Sequence, residues 1–419
     1  MTFGPDRLVR EGFPLAATLT WLDYDSTDRD RMNHILALFR ERDTRDELGV
    51  GVIRDLLADE LFPGTSTIQT RLRYMLFVPW IYQQLEAEEW TSTDFALEAR
   101  KREVSLVRAL SESDDTAGVF GRRAGGDLQR LPSSVYWAGL GSWQIRKFDG
   151  SQEQYIGALE DIHERRTRRR HVEELARRRG ENADAVGGLS ALTWHTKLPS
   201  PPSDFPDGAT VHLTLEEAQF IQDLIITTQP QSLLARLLLL PVPDVDYPWL
   251  HPSLSRFSNE HRELLHHADL LSQTMYGAAI LYNLMLAETK ASSELVAARL
   301  ENAKEWFESL DRPSVVSWTF DWVSTLAFKH KQNVSPHTID FCKRWVELVR
   351  GSGDSIMKNQ TARNLIRFRE MRLKGGRSRF TNPRALDQWS GAAGLFRMNY
   401  RWPTVTRFIQ DLHDGLKGE

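Results

Sequence analysis

Hydrophobic residues recur at helical spacing in two segments of the N-terminal quarter of the chain, on either side of Pro63-Gly64. Pro63-Gly64 cannot continue a helix, whereas Ser66 and Gln69 have the spacing of a capping box, which begins one. The pattern therefore predicts a helix-turn-helix-like unit with Arg71 and Arg73 on its second helix. The apolar positions are Ile53, Leu56, Leu57 and Leu61 in the first helix and Ile68, Leu72, Met75, Leu76 and Trp80 in the second.

Arg71 and Arg73 have two interpretations. The second helix of such a unit can contact DNA, but most helical hairpins serve packing. Phe77, Val78 and Trp80 make this helix apolar nearly all round, which favours burial, and a buried arginine needs a carboxylate. We therefore favour ion pairs for both arginines over contacts with nucleic acid. The predicted partners on the first helix are Asp55, Asp59 and Glu60.

The pattern changes three times further along the chain. Residues 86–115 form a charged segment with one apolar side, which is typical of a surface helix. Residues 116–149 contain short aromatic runs such as Val135-Tyr136-Trp137 between glycines, and these predict a small β-containing element. Ile156 to Arg179 has a helical pattern, and the glycines and prolines that follow are typical of a linker.

Together these segments predict a mainly α, multi-helix protein with a minor β-containing subdomain and two or three domains. Beyond the linker nearly all of the chain has helical periodicity. The predicted divisions are an N-terminal helical domain over 1–115, a glycine- and aromatic-rich subdomain with a basic helix over 116–180, a linker over 181–208, and a C-terminal helical domain over 209–419.

Composition narrows the function classes only slightly. With 41% hydrophobic and 26% charged residues, the chain has the composition of a globular protein. Its net charge of −4 gives no global attraction to nucleic acid, so any such surface must be a local patch. Cys342 is the only cysteine, which excludes an intrachain disulfide and predicts a small core residue. No apolar run approaches the roughly 20 residues of a membrane span, and we expect a cytoplasmic protein.

The densest charge in the chain is an arginine run between Glu164 and His171, with no hydrophobic residue between Ile162 and Val172. Guanidinium groups match phosphate geometry, so the run predicts contact with the DNA backbone. The alternative is ion pairing with nearby glutamates or with the acidic segment around Glu86. The candidate residues are Arg165, Arg166, Arg168, Arg169 and Arg170.

A second basic zone extends from Lys358 to Arg384, where Glu370 is the only acidic residue. Arg363, Arg367, Glu370 and Lys374 share one helical stripe, and Gly375-Gly376 is predicted to turn later arginines toward the same ligand. A solvated helix face is the alternative interpretation. The candidate nucleic-acid contacts of this zone are Arg363, Arg367, Lys374, Arg377 and Arg379.

Three short sequences carry a resemblance to a known family: Trp21-Leu22-Asp23-Tyr24-Asp25, Asp43-Thr44-Arg45-Asp46-Glu47-Leu48-Gly49, and Tyr400-Arg401-Trp402. With the N-terminal hairpin, they make the chain resemble a bacterial family of unknown function found in phage-defence gene clusters. Its members accompany a Swi2/Snf2-type helicase with a phospholipase-D-like nuclease domain. The resemblance covers nearly the whole chain and implies antiviral defence acting on DNA, with a helicase/nuclease partner, but it brings no catalytic residue.

Histidines between Arg256 and Asp269 are the remaining candidates for chemistry. The spacing of His261, His266 and His267 matches no established metal site, although an arginine and a histidine with four residues between them, as in Arg256 and His261, also occur in some helical ribonucleases. Serine-nucleophile and phosphate-loop motifs are missing. We therefore predict no catalytic residue, no metal and no cofactor.

The sequence thus predicts a non-catalytic, DNA-engaging component of a bacterial antiviral complex. Two alternatives remain open at this stage. One is a helical ribonuclease-like or metal-dependent enzyme with its site in the C-terminal domain. The other is a protein-interaction scaffold that does not bind nucleic acid.

Overall fold

The computed structural model describes residues 46–122, 128, 130–179 and 193–418, except for the side chains of 169, 170, 173, 176 and 177. The segment Trp21–Asp25, which contributes to the resemblance, lies outside these ranges. The described residues form sixteen α-helices and no β-strand, which confirms a mainly α protein. None of the described helices has the length and apolar character needed to cross a membrane.

The helices are numbered here in chain order. The first six are α1 (Gly51–Leu61), α2 (Tyr74–Ala87), α3 (Ser92–Glu112), α4 (Pro132–Ser142), α5 (Gln152–Gly157) and α6 (Leu159–Arg179). The next five are α7 (Leu215–Thr228), α8 (Leu233–Leu237), α9 (Asn259–Thr289), α10 (Ser293–Ser309) and α11 (Arg312–Ser317). The last five are α12 (Asp321–Lys329), α13 (Pro336–Ser352), α14 (Gln360–Lys374), α15 (Pro383–Asp387) and α16 (Trp402–Lys417).

The predicted β-containing subdomain is wrong within the described residues. Val135-Tyr136-Trp137 lies in α4, which begins with Pro132 in its first turn, where a missing N–H group costs nothing. All three side chains are buried, so the run shows no amphipathic period from which its helical state could be read. Among the residues that the structure describes, the only strand-like pairing is an isolated antiparallel bridge between Arg146 and Trp194.

The second helix of the predicted hairpin begins at Tyr74, not at Ser66. Gln69 does accept a hydrogen bond from the Ser66 backbone N–H, as in a capping box, but no helix follows. The backbone N–H groups of the next residues instead bind distant side chains. The Tyr136 hydroxyl accepts from Thr70 and Arg71, and the Asp411 carboxylate accepts from Leu72. These tertiary bonds replace the first helical turn, so Arg71 and Arg73 precede α2 rather than lying on it.

One continuous hydrophobic core runs through the described residues. Its longest element is α9, whose 31 residues are buried on most sides and pack along α10. The described part of the predicted linker, residues 193–208, also joins this core, since the Trp80 indole donates to the Pro199 carbonyl (2.6 Å) and Phe205 stacks on Phe77. Cys342 is fully buried, as predicted. The domain division stays a prediction.

Candidate nucleic-acid interface

Arg71 is held in a buried ion-pair cluster. Its guanidinium contacts Asp411 of α16 at 3.0 Å and Asp115, beyond α3, at 2.8 Å. Burial alone would lower the pKa of Arg71, but the two carboxylates outweigh it and raise that pKa. The predicted buried ion pair is therefore confirmed for Arg71, and this side chain is not available to DNA.

Arg73 is also buried, and it donates to Glu217 of α7 at 2.7 Å. Glu217 simultaneously forms the capping box of α7 with Thr214. The partners predicted from the first helix are therefore wrong for both arginines, because α1 faces another part of the chain. There, Asp55 and Asp59 face Arg401, at 3.9 and 2.7 Å, and Glu60 contacts Lys329 and His330.

Within the arginine run, Arg166 has a structural role. It donates to the buried carboxylate of Glu86 in α2, which also accepts hydrogen bonds from Tyr155, Thr193 and Trp194. Arg166 thus neutralises the carboxylate, and the four donors together replace the water that burial removes from it. For Arg166 the alternative of pairing with the acidic segment around Glu86 is confirmed.

The neighbours of Arg166 differ in their environment. Arg165 is exposed, and its side chain forms no ion pair with another described residue. Arg168 is exposed as well, but it pairs with Glu164 one turn earlier in α6. The side chains of Arg169 and Arg170 lie outside the described residues. Arg165 is therefore available to a ligand. Arg168 becomes available when its surface ion pair with Glu164 breaks, which costs little because exposed ion pairs are weak.

The predicted stripe along α14 turns inward at its C-terminal half. Glu370 is fully buried, and Lys374 packs beside it at 3.2 Å. Lys374 and Arg379 both contact Glu47, and Arg379 also donates to the Tyr282 hydroxyl at 2.9 Å. Lys374 and Arg379 are thus bound to acidic side chains within the chain, as is Arg363, which pairs with Glu288.

Four arginines of this zone point to solvent. Their guanidinium groups form no hydrogen bond or ion pair with another described residue, and one of them lies 5.5 Å from the Phe380 ring. Two of them, Arg367 and Arg372, lie next to and one turn beyond Phe368 on α14, and the Phe368 side chain is 65% exposed. The four are Arg367, Arg372, Arg377 and Arg384, and we call them, with Phe368, the α14 patch.

Sequence reasoning missed Phe368, Arg372 and Arg384 as members of this surface. A signal was present for Phe368, because the buried residues Ala362, Ile366 and Arg369 define the inner face of α14 and Phe368 falls outside it. The same spacing explains why Arg369 turns inward, where it donates to the Leu48 carbonyl oxygen at 2.7 Å.

The histidine cluster does not form a common site. His267 accepts a hydrogen bond from the Trp318 indole at 3.1 Å and stacks on Trp322, and burial lowers its pKa to about 4. His261 contacts the Gln231 carbonyl, and Asp269 pairs with Arg397. Across the described ranges, no group of three or more histidine, cysteine or acidic side chains is arranged to hold a metal.

The short sequences behind the resemblance have structural roles where they are described. Tyr400 donates its hydroxyl to the Ala268 carbonyl, and Trp402 donates its indole N–H to the Val245 carbonyl. Tyr400 and Arg401 both have positive φ, at 51° and 65°, which places Arg401 against Asp59 of α1. Glu47, in the described part of the sequence Asp43 to Gly49, pairs with Lys374 of α14. They therefore fasten the N-terminal helices to the C-terminal part of the chain.

The described residues define a multi-helix protein with a basic aromatic surface patch. The chain matches the profile of the family described as Family of unknown function (DUF6361) over residues 16–166 and 184–416, and it belongs to that family. Comparisons with curated proteins and with solved structures found no match.

Proposed function

We propose that this protein is a non-catalytic component that binds the phosphate backbone of DNA through the α14 patch, and that Arg165 and Arg168 of α6 extend the contact. The observation that carries the proposal is the exposed Phe368 with the unpaired Arg367 and Arg372 beside it on α14, followed by the unpaired Arg377 and Arg384 beyond the end of that helix. Like charges on one surface repel each other, and an anionic ligand relieves that repulsion. Arginine forks suit phosphate oxygens in particular.

Phe368 favours single-stranded DNA over duplex. An exposed phenylalanine offers a face on which an unpaired base can stack, and such stacking contributes about 1–3 kcal/mol per base. Arg372 lies one helical turn from Phe368, so a strand whose base stacks there has a cation next to its backbone. In duplex DNA the bases are already stacked on each other, and the ring would gain no partner.

The biological setting of the proposal rests on the resemblance alone. It is bacterial antiviral defence, in which a helicase/nuclease partner performs the chemistry and this chain holds or positions DNA for it. The inward orientation of Arg71, Arg73, Arg166 and Lys374 restricts the proposed surface to fewer residues than the sequence suggested.

The proposal is tested by fluorescence anisotropy with a labelled single-stranded oligonucleotide over a salt series. Replacing Arg367, Arg372 and Arg377 with Gln should weaken binding and make the slope of log K against log salt shallower by about 0.7 per lost phosphate contact. Phe368→Ala should weaken single-strand binding while leaving duplex binding and the salt slope unchanged.

A charge-matched control keeps the test specific. Lys101, Lys304 and Arg344 are exposed cations that already pair with acidic residues on their own helices. Their triple change to Gln should leave DNA affinity nearly unchanged. Equal losses of DNA affinity in the two triple variants would show that binding depends only on net charge. Undetectable DNA binding by the unmodified protein would favour the scaffold interpretation.

A further inference from the structure

A cleft of ≈ 470 Å³ is lined by residues at the end of α7, in the short helix α8 and at the start of α9. Leu239 forms part of its wall and is 59% exposed, whereas Leu237, Leu238 and Leu240 beside it in the chain are buried. The cleft therefore presents an apolar surface that the described protein leaves uncovered, and its size is typical of a small-molecule site. Its other apolar residues are Ile226, Pro230, Ala235 and Phe257.

Two arginines line the same cleft. Arg236 is in α8, and Arg256 ends a short 3₁₀ turn before α9. Both residues are exposed, and neither forms a hydrogen bond or an ion pair with another described residue. Among the described residues that line the cleft, none is acidic. The wall thus carries two positive charges without an acidic partner among its own residues, and a bound anion relieves their repulsion.

Acidic residues close to the cleft in sequence do not cancel this charge. Asp223 lies about one turn before the lining residue of α7, and Glu260 lies in the first turn of α9. Both are exposed, so water screens their charge, and neither forms an ion pair with Arg236 or Arg256. Glu263, further along α9, contacts a histidine of its own helix. The lining of the cleft therefore stays cationic.

The start of α9 adds polarity of the same sign. Ser258 is the N-cap of this 31-residue helix, and its hydroxyl oxygen accepts the backbone N–H of His261 at 3.1 Å. The hydroxyl proton has no acceptor among the described residues, so it is free to donate to a ligand. The His261 Nε2–H donates to the Gln231 carbonyl oxygen at 2.9 Å, which fixes the start of α9 against the turn between α7 and α8. A free hydroxyl and the positive end of the helix dipole thus reinforce the two arginines.

We infer that this cleft binds a small amphipathic anion, that is, a molecule with a carboxylate or phosphate group attached to an apolar body. Arg236 and Arg256 bind the anionic group, and the apolar body covers Leu239. Both features are required, because an apolar ligand alone would leave the arginines unpaired, and a bare anion would leave the apolar wall in water. The inference goes beyond the proposed function and does not depend on it, since none of the cleft residues belongs to the α14 patch.

Isothermal titration calorimetry of the full chain measures binding of octanoate and, separately, of monooctyl phosphate, at constant ionic strength and below their micelle concentrations. At least one of the two should bind saturably, and the tighter one identifies the anionic group that the cleft takes. Acetate, inorganic phosphate and octanol each lack one of the two features and should bind about tenfold more weakly or worse. The inference is overturned if neither amphipathic anion binds saturably, or if octanol or a bare anion binds equally well.

Single changes of the two arginines locate the site. Arg236→Gln and Arg256→Gln should each weaken binding of the tighter amphipathic anion about tenfold, as expected for the loss of one charge-assisted hydrogen bond. Both variants should fold normally, because neither arginine has a partner among the described residues. Arg344→Gln removes an equal charge from α13 and should have no effect on anion binding. Unchanged affinity in either cleft variant, or an equal loss in Arg344→Gln, would overturn the site.

Leu239→Ser tests the apolar wall. Because Leu239 is largely exposed, this variant should fold normally but bind the amphipathic anion about threefold more weakly or worse, and unchanged affinity would contradict the role of the wall.

A labelled single-stranded oligonucleotide separates this cleft from the proposed DNA surface. The double variant Arg236→Gln/Arg256→Gln should keep the DNA affinity of the unmodified protein, and the triple variant of the α14 patch should keep its affinity for the amphipathic anion. If the double variant loses as much affinity for DNA as for the anion, the cleft belongs to the nucleic-acid surface and the inference of a separate small-molecule site fails.

Discussion

Arg71 and Asp411 form a buried ion pair across 340 positions of sequence, and Asp411 also accepts the Leu72 backbone N–H at 2.8 Å. The carboxylate therefore secures both the side chain and the backbone of the segment that leads into α2. Burial raises the pKa of Asp411, and Arg71 opposes that rise, so the carboxylate depends on its partner for its charge.

Removing one member of this pair should destabilise the fold. Arg71→Ala leaves Asp411 buried without its cation, and we expect the free energy of unfolding to fall by roughly 3 kcal/mol or more. Urea denaturation followed by circular dichroism measures the change. An Arg71→Ala variant of normal stability that has lost DNA affinity would contradict the structural role and would mean that Arg71 contacts nucleic acid.

Adjacent arginines of α6 should behave in opposite ways. Arg166→Gln weakens the donor set of the buried Glu86 carboxylate and should cost about 1–3 kcal/mol of stability. Arg165→Gln should leave stability unchanged and make the salt slope of single-strand binding shallower by about 0.7. The two single variants are each other's control, and identical behaviour in both assays would show that the division of roles in α6 is wrong.

Glu103 gives the protein a pH-dependent stability. Its carboxyl is fully buried and accepts from the Ser133 N–H, and burial raises its pKa to about 7. Between the ordinary glutamate pKa and 7 the folded state binds the proton more tightly than the unfolded state. Stability should therefore fall as pH rises through this window and level off above it.

Glu103→Gln should remove that dependence. At pH 8 the variant is expected to be more stable by up to roughly 3 kcal/mol, because it carries no buried charge, and the gain should vanish near pH 4. Thermal unfolding of both proteins from pH 4 to 8 tests this. A variant less stable than the unmodified protein at pH 8 would show that the ionised carboxylate is needed at this position.

The purified chain should show neither ATPase nor nuclease turnover, with or without divalent metal, yet bacterial defence should require it. This expectation follows from the sequence, which lacks a phosphate loop and a nucleophile motif, and from the proposed role beside a catalytic partner. Plaque assays with the α14 patch variants measure the requirement in cells. Metal-dependent cleavage that is lost in His267→Ala would overturn the non-catalytic interpretation.

Local periodicity was sufficient to predict the helices α1, α13 and the long α9, because each has an apolar stripe or a marked start. It failed at Val135-Tyr136-Trp137, where burial on all sides removes the period. The partners of Arg71 and Arg73 could not be predicted, since Asp411 and Glu217 are distant in sequence and nothing local marks them. For the candidate surface, charge density identifies the basic segments but not which of their arginines face solvent.

The pairing of Arg71 with Asp411 also determines when, during translation, the segment before α2 can reach its native contacts. At about 5–20 residues per second, a ribosome takes tens of seconds to make the 340 residues between them. During that time Asp115 and Tyr136 have already emerged and can bind Arg71, but the second carboxylate of the cluster, which also accepts from the Leu72 N–H, does not yet exist. The segment that leads into α2 is thus among the last of the described parts to be completed, because its ion-pair cluster closes only after α16 has been made.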